Sequence, residues 1–335
     1  MAQDLNVESS TIATSLDEIR NELARTKLTA STMNFVVWID DLDRRDWILE
    51  RTAMLSDKYP SLTIVLDHTG KCKEAVLTTG ERAERVDFTV QGERVQLDVS
   101  CCDAQAVLGY VTALGKTSVP TILWWSGMRD SSREIFFALL PLVNTLLFDS
   151  SGGSRDASAM EKIVAFHREH PEVELRDLAW MRLRPWQDVI ANFFDDPQLQ
   201  DELYAIRRVD VASGSDSEAL YLGAWLAGSL GWTPTGRDAF TDRAGGTVTF
   251  ERRRVGDIRR VQSICLDSAK SWYHGEVTED PGVVRFWVEG EHAREPRLVP
   301  LQAIDNASLL ERAVLEGQAD ELFESVLRTA ATLLG

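Results

Sequence analysis

With 335 residues and a formal net charge of −17, the chain is long enough for two hydrophobic cores and too acidic to track a phosphate backbone without a local basic patch. Its 44% hydrophobic and 27% charged residues are the balance of a globular protein. No apolar run reaches the roughly 18 residues of a bilayer span, so neither nucleic acid nor a membrane is an expected partner.

The four cysteines are too few for a disulfide scaffold, and the first residues lack the basic and apolar regions of a signal peptide. A cytoplasmic setting is therefore expected. Residues 1–30 are read as an N-terminal helix, with Ile12, Leu16, Ile19 and Leu23 at helical spacing and Ser15 as N-cap. An α/β domain is expected over 31–155. It opens with a strand Thr32–Asp40, a helix Asp43–Tyr59 and a strand Ser61–Asp67, a rhythm that implies a right-handed crossover. Three alternating runs between Lys73 and Ser100 read as antiparallel strands. Next come a helix Asp103–Gly115 ending on glycine, a strand carrying Trp124 and Trp125, a helix near Arg129–Leu140 and a strand Asn144–Ser151.

A second, α+β domain is expected over 156–335. Its elements are a helix Ala157–His170, a helix opening at Pro185, a strand Leu203–Ala212 and a helix Ala219–Leu230 that is apolar nearly all round. An antiparallel meander follows from Gly246. Two closing helices carry the stripe Leu309, Val314, Leu322, Val326 and Leu327. The fold class is α/β, α+β overall: a three-layer-like mixed sheet with flanking helices, then an antiparallel sheet packed by helices.

The common catalytic signatures are missing from the sequence. The loop Phe148–Ser158 is glycine-bearing but has no lysine, and it reads as a simple connection or an anion site. Asp40, Asp41 and Asp43 stand at a strand's carboxyl end, suited to helix capping or to a ligand crevice that would also include Asp149 and Ser150. His167 and His170 lack a third ligand, so no metal and no cofactor is expected. Cys101 and Cys102 read as buried free thiols, with a redox role as the alternative. The arginines of Glu251–Val261 read as the solvated face of a hairpin, or else as an anion or partner site.

Tryptophan recurs with arginine: Trp124 and Trp125, then Trp180, Arg182, Arg184 and Trp186. These types dominate interface hot spots, and they are equally the residues of core and inter-domain packing. Neighbouring strand side chains face opposite ways, so one indole of Trp124–Trp125 is expected to pack inward and the other to face the strand-end crevice or the second domain.

Four stretches, "VPTILWWSG", "LLFDSS", "DLAWMRLRPWQDVIANFFD" and "YLGAWLAGSLGW", carry a resemblance to the OpcA family of glucose-6-phosphate dehydrogenase assembly proteins of cyanobacteria and actinobacteria. They lie in order within Val119–Trp232. The chain departs from the family where Gln187 replaces an arginine and where Leu62 follows Ser61. The resemblance implies a non-catalytic partner and allosteric activator of glucose-6-phosphate dehydrogenase in the oxidative pentose phosphate pathway. It also implies thioredoxin control through cysteines, although Cys72, Cys101, Cys102 and Cys265 do not map onto the family's positions. The rival reading is a small-molecule or nucleotide-binding regulator using the strand-end crevice.

Overall fold

A computed structural model describes residues 16–24, 31–70, 87–91, 93–127, 132–152, 156–197, 199–256, 260–301, 305–315 and 320–334. The chain divides into two compact units. One holds Met1–Phe148 and Glu172–Arg176; the other holds Asp149–Pro171 and Asp177–Gly335.

The first unit is built on a seven-stranded sheet of β1 (Met33–Ile39), β2 (Ser61–Asp67), β3 (Phe88–Gln91), β4 (Arg94–Asp98), β5 (Thr121–Trp125), β6 (Thr145–Phe148) and β7 (Glu174–Asp177). Their spatial order is β3-β4-β2-β1-β5-β6-β7. Without the edge strand β3, the remaining six run third, second, first, fourth, fifth, sixth, the order of a doubly wound dinucleotide-binding sheet. β1, β2 and β5 are buried along their whole length, as continuous apolar strands covered on both faces must be. Helices α1 (Leu42–Lys58), α2 (Ala104–Leu114) and α3 (Arg133–Leu139) belong to this unit. Asp103 caps α2 by accepting from the Ala106 amide at 2.8 Å. The closing Gly115 is not left-handed; a side chain there would press on the Val111 carbonyl at 2.8 Å.

One expectation is corrected here. β3 and β4 form an antiparallel pair, but β4 runs parallel to β2. Its alternating burial comes from lying near the sheet's edge, and alternation alone does not distinguish the two directions. Residues 1–15, the run from Lys73, Cys72 and the start of the helix expected near Arg129 lie outside the described residues.

In the second unit α4 (Asp156–Glu169), α5 (Leu178–Met181), α6 (Arg184–Phe193), α7 (Gln200–Leu203), α8 (Asp216–Leu230), α9 (Asn306–Leu315) and α10 (Glu321–Leu334) accompany an eight-stranded sheet. The strands are β8 (Ile206–Ser213), β9 (Thr233–Gly236), β10 (Ala239–Thr241), β11 (Thr247–Arg254), β12 (Val261–Ser268), β13 (Ser271–Val277), β14 (Val283–Gly290) and β15 (Arg294–Pro300). Their order is β15-β14-β13-β12-β8-β11-β10-β9.

The meander is real for β12 to β15, but β11 pairs parallel with β8, which lies between β11 and β12. The sheet is therefore mixed, and the arginines around Val255–Gly256 do not sit on a hairpin. Helix α8 is buried on nearly all sides and ends on Gly231 in the left-handed conformation. At Gly223 it approaches β11 so closely that a β-carbon would meet the Phe250 ring at 2.3 Å. Of the expected closing stripe, Leu309, Val314, Val326 and Leu327 are buried, whereas Leu322, at the start of α10, is exposed.

Candidate functional site

The paired tryptophans do not divide into one buried and one presented indole. Trp124 is 1% exposed and Trp125 is 7% exposed. Because the first sheet is covered on both faces, it has two cores, and each indole enters one. Trp124 stacks on Phe35 at 6.3 Å and meets Trp47 of α1 edge-on at 6.1 Å. Trp125 stacks on Trp38 at 5.0 Å and meets Phe136 of α3 edge-on at 4.9 Å. Such aromatic pairs contribute roughly 0.5–1.5 kcal/mol each beyond their area.

The strand order reverses between β1 and β5, and a sheet of this order holds a dinucleotide at that crevice. The residues here do not fit one. A pyrophosphate needs a glycine-rich turn and free amides at the helix N-terminus. This chain has Asp40, Asp41, Leu42 and Asp43 there instead. The Asp41 carboxylate accepts from the Asp43 amide at 3.1 Å and so caps α1 itself. Asp40 is 3% exposed and accepts from the Ser132 hydroxyl at 3.0 Å. Its Oδ1 lies 1.7 Å from where a β-carbon on Gly127 would stand, so Asp40 fills the gap between the ends of β1 and β5. Asp67, at the end of β2 where such sheets carry a ribose-binding acid, is engaged by Arg45 Nε at 2.7 Å and by the Thr69 hydroxyl at 2.7 Å.

The second cluster belongs wholly to the second unit and gathers Asp149, Ser150 and Ser151 with residues of α5 and α8 and their flanks. Arg182 donates to Asp149 from both terminal nitrogens, at 2.6 and 3.0 Å, and from Nε to Glu218 at 2.9 Å. The second Glu218 oxygen accepts from the Val261 amide at 3.0 Å. Asp177 accepts from the Ser150 and Ala179 amides at 3.0 and 2.9 Å and from the Tyr221 hydroxyl at 2.7 Å.

Burial pushes Asp177 up to about 6, helped by the nearby Asp149 charge. Burial also raises Glu218, to about 7, against the pull of Arg182. Burial acts on Asp149 in the same direction, yet the charge and hydrogen bonds of Arg182 outweigh it and hold Asp149 low. Shifted carboxyls of this kind mark many active sites. Here their oxygens are taken up by the protein's own donors, which makes the cluster a clamp on the Asp149–Ser151 turn.

The other tryptophans of the expected site are also interior. Trp180 donates from Nε1 to Asp320 at 2.8 Å and stacks on Phe323 at 5.6 Å. Trp186 and Gln187 are both buried on α6, and Leu62 is buried on β2. The two departures from the family pattern therefore fall in the interior. Of the six residues of the Trp/Arg set, Arg184 alone has an exposed side chain, at 63%, with Asp188 3.5 Å away.

Cys101 is exposed and disulfide-bonded, and Cys102 is a free thiol. Neither is the fully buried free thiol the sequence suggested, and they are not joined to each other. Sequence reasoning also missed that His274 is the cross-strand partner of Cys265. Burial and the nearby Asp210 and Asp267 push that thiol up to about 11, so it is no nucleophile at neutral pH. Among the described residues no cluster of His, Cys, Asp and Glu fits a metal ion, and no helix is long and apolar enough to cross a membrane.

Residues 52–165 match the family model described as the glucose-6-phosphate dehydrogenase subunit N-terminal domain, and residues 173–327 match that of its C-terminal domain. This chain belongs to the OpcA family. An OxPP cycle protein OpcA of Synechococcus elongatus is 29% identical to it over 144 residues, 42% of this chain and 32% of that protein. Its counterpart in Nostoc punctiforme is 30% identical over 147 residues, 42% of this chain and 30% of that protein. The match thus spans about a third of the length of these OpcA relatives. Among solved structures, a 3-ketoreductase from Actinomadura kijaniata in complex with NADP aligns over 91% of this chain and 96% of its own, at 14% identity and a TM-score of 0.49. A likeness at that level says nothing about chemistry.

Proposed function

We propose that this OpcA-family chain is a non-catalytic, cytoplasmic assembly factor that binds glucose-6-phosphate dehydrogenase and favours its active oligomer in the oxidative pentose phosphate pathway. The observation that carries the reading is the match of both family domains, over 52–165 and 173–327. Supporting it, the crevice where a sheet of this order would hold a dinucleotide is filled by Asp40 and fringed by Asp41 and Asp43. The same acids argue against the rival reading of a nucleotide-binding regulator.

An activator without chemistry of its own works by differential affinity. It must bind one conformation or assembly state of the dehydrogenase more tightly than another, and that difference is the whole of the effect. Exposed Arg184 is the residue of the Trp/Arg block we assign to the partner contact, with the buried indoles holding its helix in place. Disulfide-bonded Cys101 is the point at which a thioredoxin would act in this scheme.

The test is co-purification with the dehydrogenase of the same organism, together with its kinetics with and without this chain, in reducing and in oxidising buffer. A stable complex and a raised rate in at least one buffer are expected. No complex and unchanged kinetics in both would overturn the proposal.

A further inference from the structure

The strands of the second unit's sheet alternate between two faces. One carries Tyr273 and Phe286, which meet Phe193 of α6. On the opposite face the side chains of β13 and β14 are exposed or half-buried: Trp272, His274 and Glu276, then Arg285, Trp287 and Glu289.

The two indoles of that face are placed differently. Trp287 stacks on His274 at 4.6 Å and has the Arg285 guanidinium 5.0 Å over its ring. Trp272 is 43% exposed, and neither a ring nor a cation lies over it among the described residues. Its cross-strand neighbours are Asp267 on β12 and Glu289 on β14. Adjacent strands stand about 4.8 Å apart, so a cation resting on this indole is within reach of both carboxylates.

The cations of the face are engaged elsewhere. Arg208 is the neighbour of Asp267 in register, yet its guanidinium reaches Glu251 at 2.7 Å and Asp210 at 3.3 Å. Arg253 holds Asp210 at 2.8 Å, and Arg285 holds Glu276 at 2.7 Å. Lys270, in the turn after β12, pairs with Glu291 at 3.3 Å. Among the described residues, Asp267 is therefore paired with no arginine or lysine. Glu289 accepts from the Trp287 indole at 2.9 Å and lies 3.9 Å from the His274 ring. Burial holds His274 below its ordinary pKa, so that ring does not neutralise Glu289 at neutral pH.

We propose that the row Asp267, Trp272 and Glu289 receives an arginine side chain from a basic segment of a partner protein. Charge complementarity selects this occupant. A π face between two carboxylates without counter-charges attracts a cation, and it repels an acidic chain, including a second copy with its own net charge of −17. The same arrangement is already made within the chain by Arg285, which lies over Trp287 and bonds Glu276. A guanidinium suits the site better than an ammonium, because its plane can rest on the indole while its edge donates to the acids.

The experiment uses the full chain with its indoles labelled with nitrogen-15, the Trp272 N–H resonance being the one lost in Trp272→Phe. The probe is the capped peptide Gly-Arg-Gly-Arg-Gly. It is expected to shift the Trp272 resonance saturably, and added salt should weaken the effect. Asp267→Asn and, separately, Glu289→Gln should weaken binding at least fivefold with unchanged circular dichroism. Neither acid is buried, so both variants should fold. No shift at Trp272, an equal shift with the glutamate counterpart of the peptide, or an affinity indifferent to both substitutions would overturn the proposal. A lysine peptide that binds as tightly would overturn the choice of arginine. Broadening of the Trp272 resonance with protein concentration and no peptide would overturn the proposal and give the face to a second copy. No dehydrogenase is present, so the result stands apart from the proposed function.

Discussion

Arg182 grips Asp149 with two parallel bonds of 2.6 and 3.0 Å, a fork-on-fork pairing that ties the turn after β6 to the end of α5. Its Nε is spent on Glu218, so one guanidinium serves two carboxylates. Removing it leaves both acids buried without a counter-charge. Arg182→Ala should destabilise the second unit by about 3–5 kcal/mol, the usual cost of breaking a buried pair. Urea unfolding of the variant measures this, and a loss below about 1 kcal/mol would refute the clamp.

The cluster also predicts a pH dependence. Asp177 and Glu218 are raised from 3.8 and 4.5 to about 6 and about 7. The native state therefore keeps protons that the unfolded chain has released. That stabilisation is fully present below the unfolded values and is lost as pH rises through 6 and 7. Asp149 has the opposite sign: its contribution is present above its unfolded value and is lost as pH falls through its lowered native one. Denaturation midpoints should thus decline from pH 5.5 to pH 8. Asp177→Asn should flatten part of that decline, because the Tyr221 hydroxyl can turn to accept from the new amide. An unchanged slope would contradict the assignment.

Gly127 and Asp40 compete for one volume. Gly127→Ala puts a methyl group 1.7 Å from Asp40 Oδ1 and should cost about 1–3 kcal/mol through overpacking. Combining it with Asp40→Ala should recover much of that loss, as a double-mutant cycle would show. If Asp40 closes the crevice as described, millimolar NADP should leave the melting temperature of the wild type unchanged. A clear rise would restore the nucleotide-binding reading.

Trp180 and Trp186 are poor probes of the dehydrogenase contact. Trp180→Phe keeps the stack on Phe323 and loses the bond to Asp320, worth about 1 kcal/mol. Trp186→Ala empties a buried site and should cost about 3–5 kcal/mol. Any lost binding would then report unfolding. Arg184→Glu changes an exposed charge and should leave stability within about 0.5 kcal/mol. It should weaken dehydrogenase binding at least tenfold in a titration if Arg184 is a contact; unchanged affinity would remove it from the interface.

Strands such as Met33–Ile39 and Ser61–Asp67 are legible from sequence because a strand buried on both faces must be continuously apolar. The directions of β4 and β11 are not. A half-exposed strand alternates in the same way whether its neighbour runs parallel or antiparallel, and only the intervening crossover decides. The Trp124–Trp125 pair misled for a related reason: two opposite faces imply one solvent-facing residue only if the sheet has a single core. Asp177 caps α5 and Glu218 lies in the first turn of α8, both ordinary places for an acid. Their convergence with Arg182 and Tyr221 joins residues some 40 positions apart, which no local spacing announces.

The path of the chain through β7 has a consequence for how the protein can be taken apart and how it is made. The backbone leaves the first unit after Phe148, contributes α4 to the second, returns for Glu172–Arg176 and then departs for good. A fragment ending between Phe148 and Glu172 lacks β7, the sheet's outer strand beside β6, and its complement carries that strand as an orphan. A growing chain likewise holds an unfinished first sheet until Arg176 has been made. Completion of the first unit's sheet therefore waits on chain that follows the second unit's first helix, and a lesion in Glu172–Arg176 would strike the first unit from beyond that helix.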